Sequence, residues 1–268
     1  MVGTIRVAIV AALVACGSDA DTDPTGAGAS GGSAGTGGGG TGGGAGFTIA
    51  GNAVVISDFV TPAPAGLCVA ILDPTPALAG GEPAVLGSTT LDAAGAFSVS
   101  GIVGTSSVGL LISVSDCPGG TPSGALATAT GIEAADYANA ADGAVLDGYV
   151  ALLVDAPTAG AWSAGLAAAG YTGDLAAEGS LLGMVLDPMG APVDGGVVTG
   201  PPGTTVYYFE GNGFGSGSTG TVAAAGGLFL IPAAPIFTYG CTGGGYTYTS
   251  ILAGSQPGFQ VIVAFNGT

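Results

Sequence analysis

The stretch LLGMVLDPMGAPVDGGVVT, residues 181–199, decides how this sequence is read. Leu181–Leu186 is an apolar run of strand length, too short for an ordinary buried helix. Asp187-Pro-Met-Gly190-Ala-Pro192 then interrupts it. Two prolines without a backbone N–H, with Asp and Gly beside them, break a ladder and favour a turn. Val193–Thr199 resumes with β-branched residues. The local reading is strand, turn, strand.

The same texture extends in both directions. Towards the C-terminus it predicts strands at Thr204–Phe209, Thr219–Ala223, Leu228–Ile231, Tyr246–Leu252 and Phe259–Phe265. Towards the N-terminus it predicts Ala53–Val60, Leu67–Leu72, Val85–Leu91, Ala96–Ser100 and Val108–Ser115. Short strands at this spacing suggest sandwiches. Asp92-Ala-Ala-Gly95-Ala-Phe97 reads as a hairpin turn in which Gly95 supplies a positive φ. Val222-Ala-Ala-Ala-Gly226-Gly-Leu-Phe229 is a similar hairpin without the Asp, a hint of internal duplication. Residues 125–179 are rich in Ala, and Ile132–Ala141 and Ala144–Val154 could be helical. The run Val150–Val154 fits either a helix or a buried strand. The better helix begins at Pro157, with Asp155 before it, Trp162 and Leu166 on one face, and Gly170 at its end. The predicted class is mostly β: a sandwich domain over 47–124, a partly helical connector over 125–179, and a second sandwich domain over 180–268.

Gly183-x-Val185-x-Asp187-x-x-Gly190-x-Pro192-Val193, followed by Gly195-Gly196-Val197-Val198, resembles the opening of the carboxypeptidase regulatory-like domains. Gly227-Leu228-Phe229 and Pro257-Gly258-Phe259 match that family's later elements in order. The resemblance covers about residues 181–265 and implies a transthyretin-like sandwich acting as an accessory, non-catalytic module. Residues 47–117 share only the Asp92-x-x-Gly95-x-Phe97 hairpin and lack the opening element.

The N-terminus carries a different signal. Arg6 precedes the nine apolar residues Val7–Ala15, which suit an export signal and fall far short of the ~20 needed to span a bilayer. Leu13-Val14-Ala15-Cys16 resembles a bacterial lipobox. That resemblance implies a signal peptide over 1–15, a diacylglyceryl group on Cys16 with acyl chains such as palmitate, and cleavage before Cys16. Residues 16–46 then form an Asp- and Gly-rich segment with little to bury, predicted to be a flexible tether. Asp19, Asp21 and Asp23 have the spacing of a calcium loop. Pro24 stands where that loop needs glycine, so a solvated acidic tether is the better reading.

Charge narrows the function classes. Arg6 is the single Lys or Arg against 18 Asp and Glu, and histidine is absent. A chain without cations after its leader cannot neutralise phosphates, which argues against nucleic-acid binding. An anionic membrane repels it, so attachment needs a covalent anchor. Histidine-based triads and zinc sites are unavailable. Paired carboxylates could hydrolyse glycosides, yet no acidic pair stands in a recognisable context. Nine of the 18 acidic residues lie between Glu133 and Asp194. A solvated acidic face is favoured there over a calcium site, so no metal or cofactor is assigned.

Export permits disulfides, and Cys68 and Cys117 share the first β region, which makes them the favoured pair. Cys241 stays free, pairs with another chain, or pairs with one of those two. Tyr207, Tyr208, Tyr246 and Tyr248 fall among glycines in the C-terminal part. Core packing is their ordinary role; a stacking surface for glycan or peptide is the functional alternative. Tyr207 and Tyr208 are adjacent and must point to opposite faces of a strand, which predicts that one faces outward or lies at an edge. The sequence therefore describes a non-catalytic lipoprotein of the bacterial envelope, anchored to the outer membrane and periplasmic or surface-exposed. It would act as a structural or protein-interaction scaffold, or alternatively bind carbohydrate or peptide through those tyrosines.

Overall fold

The computed structural model describes residues 46–103, 106–210, 213–215 and 220–268. Its first part holds β1 (Phe47–Val55), β2 (Cys68–Asp73), α1 (Thr75–Leu78), β3 (Ala84–Thr90), β4 (Ala96–Ile102) and β5 (Leu110–Ser115). Then come β6 (Ala127–Ile132), α2 (Ala134–Tyr137), β7 (Val145–Leu153), α3 (Ala156–Ala168) and α4 (Leu175–Glu178). The last part holds β8 (Ser180–Leu186), β9 (Gly196–Thr199), β10 (Tyr207–Glu210), β11 (Gly213–Gly215), β12 (Leu228–Pro232), β13 (Phe237–Gly243), β14 (Ile251–Ala253) and β15 (Phe259–Asn266).

One nine-stranded sheet joins the two parts in the order β11-β10-β12-β8-β15-β6-β5-β2-β3. β15 lies at its centre, parallel to β8 on one side and to β6 on the other. Two three-stranded sheets, β4-β1-β7 and β14-β13-β9, cover it. They cover opposite faces. Val69, Ile71, Ile112, Val114 and Ile132 pack with Ile49, Val99 and Leu153 beneath β4-β1-β7. Leu181, Val185, Phe229, Val263 and Phe265, which point the other way, pack with Val198, Tyr239 and Ile251 beneath β14-β13-β9. α3 and the end of β7 cover the remaining face of the C-terminal half: Trp162, Leu166 and Leu152 meet Leu182, Met184, Leu230 and Ile262.

This double cover explains β8, whose seven residues are all buried. A strand sandwiched on both faces loses its alternation and reads as one apolar run. Gly183 is part of that fit. A Cβ there would lie 2.1 Å from Cζ of Phe229, its partner across the β8–β12 pair.

The mostly-β architecture agrees with the sequence, and residues 125–179 hold helices α2, α3 and α4, but the segment is more than a connector. Residues 125–179 contribute β6 to the central sheet and β7 to a covering sheet. Val145–Leu153 is a strand because β1 pairs with it in parallel and its last residues, Ala151, Leu152 and Leu153, are buried. Tertiary pairing overrides the modest helix preference of its alanines. Thr128 Oγ1 donates to Leu152 O at 2.5 Å, and Leu152 N donates to Thr130 Oγ1 at 3.3 Å. These two threonines tie the central sheet to its cover.

The helix anticipated from Pro157 forms as α3. Asp155 caps it by accepting from Thr158 N, and Ala159, Trp162 and Leu166 form its buried face. Gly170, at φ 95°, follows its end. β13 was not anticipated, because its glycines and threonines carry little apolar signal. The strand expected over Tyr246–Leu252 shrinks to β14. In place of Thr219–Ala223 the described residues hold a single 3-10 turn, Ala223–Ala225.

Gly183→Ala should lower stability by about 1–3 kcal/mol through overpacking against Phe229, measured as a shift of the urea midpoint at unchanged slope.

Candidate functional site

Carboxylates are the main chemistry-bearing side chains of the described residues. Asp92 and Asp187 occupy one and the same turn. Asp92 Oδ1 accepts from Ala94 N and Ala96 N at 2.8 Å, and Asp187 Oδ1 accepts from Met189 N and Ala191 N at 2.8 Å. In each, a glycine three residues on takes a positive φ, 73° at Gly95 and 82° at Gly190. Asp58 accepts from Val60 N, Thr61 N and Thr61 Oγ1. The side-chain and backbone donors of Thr61 hold its carboxyl below the usual range. The segment expected to be a hairpin at Val222 is a 3-10 turn, Ala223–Ala225, and it takes its carboxylate from elsewhere: Asp194 Oδ1 accepts from Ala223 N at 2.5 Å. Asp174 caps α4 through Ala176 N. These groups serve local backbone turns rather than converging on a cleft. Among the described residues no group of three or more His, Cys, Asp or Glu is placed to hold a metal ion.

Cys68 and Cys117 are bridged, with Cα atoms 4.9 Å apart, tying the start of β2 to the chain just beyond β5. Cys241 is free and buried under the covering sheet. Burial pushes its thiol up to about 12, so it is not a thiolate at neutral pH. Cys16, and with it the anchor and the acidic spacer at Asp19, Asp21 and Asp23, lies outside the described residues.

The four tyrosines do not assemble into an exposed patch. Tyr207 and Tyr208 do point to opposite faces, yet both are buried, because each face of β10 is covered. Tyr207 joins the α3 side, with Tyr171 edge-on at 6.3 Å. Tyr208 joins the other core, where its hydroxyl accepts from Val198 N at 2.9 Å. Tyr248 packs edge-on to Phe265 at 6.4 Å, and its hydroxyl is enclosed without a hydrogen-bond partner among the described residues. Only Tyr246 of the four is exposed. The expectation that one of the adjacent pair faces outward fails because it assumed a sheet wet on one side.

Two concavities lie among the described residues away from these groups. A polar groove of about 420 Å³ is lined by Tyr171, Pro201, Pro202, Thr204, Tyr207 and Pro235. Tyr171 donates its hydroxyl to Glu178 Oε2 at 2.8 Å. The second is an apolar cleft of about 630 Å³ at the junction of the two halves. Its floor is the face of the central sheet at the margin of the β14-β13-β9 cover: Leu111, Ala129, Gly131, Val261 and Val263. Leu78 of α1 and Val85 of β3 form one wall; Ile236 and Leu252 form the other. Glu82 is the one charged residue that lines it. No sequence signal marked this cleft, because its walls come from segments about 170 residues apart.

No family model matches the chain, and no curated protein matches it. Among solved structures it is similar to the shaft pilin SpaA from Lactobacillus rhamnosus GG, at 10% identity over 83% of this chain and 97% of that one, with a TM-score of 0.24. It is also similar to a streptococcal ancillary pilin, at 12% identity over 83% of this chain and 69% of that one, with a TM-score of 0.23.

Native protein with Cys16→Ser should show no thiol reactive to an aromatic disulfide reagent at pH 8, and one per chain in denaturant, from Cys241. Reducing Cys68–Cys117 should cost roughly 4 kcal/mol on the loop-entropy model for a separation of 49 residues, read from denaturant curves. Tyr248→Phe should leave stability unchanged or raise it by up to about 1 kcal/mol, since no hydrogen bond is lost.

Proposed function

We propose that this chain is a non-catalytic lipoprotein of the bacterial envelope. It is held by lipid on Cys16 and presents residues 46–268 as a rigid scaffold for protein interaction. The observation that carries this reading is the charge distribution: no Lys, Arg or His follows Arg6, while all 18 carboxylates fall between Asp19 and Glu210. Such a surface gains nothing from an anionic membrane and needs a covalent anchor to stay beside it. The engagement of the aspartates in turns supports a structural role over hydrolysis. The carboxypeptidase regulatory-like resemblance of residues 181–265 supports it further: those modules are accessory, and the turn at Asp187 is the element that carries the likeness.

A second reading, binding of glycan or peptide, is favoured by one observation. The groove beside Tyr171 combines aromatic, proline and hydroxyl groups, which suits stacking with few hydrogen bonds. That reading therefore moves from Tyr246 and Tyr248 to Tyr171 and Tyr207. A glycan array silent for wild-type protein would dismiss it.

The anchor is tested in the bacterial host. Wild-type protein should sediment with membranes, and its N-terminal peptide should carry a diacylglyceryl mass on Cys16. Cys16→Ser should be released into the soluble fraction. A mature chain that begins at Met1, or an unmodified Cys16, would overturn the reading.

A further inference from the structure

The apolar cleft at the junction takes no part in anchoring or in the turns. Its floor combines small residues, Ala129 and Gly131, with the β-branched Val261 and Val263. Its walls expose aliphatic side chains to water: Leu78 is 42% accessible, Val85 64% and Ile236 43%. Covering them would remove apolar surface from water, and the volume of about 630 Å³ is that of a small-ligand site.

We propose that this cleft binds one alkyl chain of an uncharged lipid. Charge selects the headgroup. No cation lies anywhere in residues 46–268, and Glu82 stands at the cleft itself. A carboxylate or phosphate headgroup would find no partner there and would be repelled. A neutral glyceride meets no such opposition. The anchor selects the source: a lipid on Cys16 that sits in the membrane is not free to fill the cleft, so the alkyl chain bound here is that of an external lipid. Binding itself goes beyond the scaffold reading and is independent of whether Cys16 is lipidated.

The test uses the full chain with Cys16→Ser, so that no covalent lipid competes, loaded with the neutral dye Nile red. 1-Monopalmitoylglycerol should displace the dye saturably at one site per chain. Palmitate at pH 8 should bind at least about tenfold more weakly. Val85→Glu and Leu78→Glu, at exposed wall positions that the fold tolerates, should each weaken binding about tenfold or more by placing a charge against the alkyl chain. Ala129→Phe should abolish it by filling the floor. The proposal is overturned if displacement is not saturable, if palmitate binds equally well, or if the two wall variants bind like the parent. It is also overturned, as to source, if wild-type protein excludes the probe until its Cys16 lipid is removed. Lipidation is read separately by mass spectrometry, so failure of the anchor and failure of the cleft give different results.

Discussion

The fold depends on the insertion of its last strand, β15, between β8 and β6. Phe259–Ile262 pair with Ala127–Thr130, and Gln260–Asn266 with Ser180–Leu186, both in parallel. Without β15 the central sheet would fall into two pieces, each with an exposed edge of unpaired backbone groups. Gln260 shows how closely this seam is fitted. Fully buried, it accepts from Ser180 Oγ and donates through Nε2 to Leu175 O at 2.9 Å. A buried amide is tolerated only when its polar atoms find partners, and here they reach both the neighbouring strand and the helix before it.

Joining the halves through one sheet has a consequence for packing. Each half needs a second layer, and the two second layers lie on opposite faces. Among the described residues no covering sheet lies on the outer face of the N-terminal half, and the C-terminal cover ends at β14. The cleft is the step between them. Its apolar character follows from the same geometry, because its floor strands carry the small and β-branched residues that a sheet centre requires. The tyrosines tell the complementary story. They were candidates for a surface because they sit among glycines, but β10 lies where both layers close, so Tyr207 and Tyr208 are absorbed into separate cores.

Some features were legible because their causes are local. The turns at Asp92 and Asp187 need only a carboxylate that can accept two backbone N–H groups and a glycine free to take positive φ. Both requirements are met within five consecutive residues. α3 was legible for the same reason: Asp155, Pro157 and Gly170 mark its ends, and Trp162 and Leu166 its buried face. The 3-10 turn at Ala223–Ala225, expected as a third hairpin, shows the limit of that logic. Having no Asp of its own, it takes one from Asp194, 29 residues away, which no local pattern announces.

The sequence by itself determined the β-rich class, the aspartate-glycine turns, the one substantial helix and the charge that rules out cationic recognition, because each is set by neighbours along the chain or by composition. Tertiary structure alone decided that β7 is a strand, that both faces of β8 and β10 are covered, and that a cleft opens over Ala129 and Val261. A period of two tells which residues share a face of a strand. It does not tell which strand lies beside it or what covers that face; those are settled by backbone pairing and burial between segments far apart in the chain.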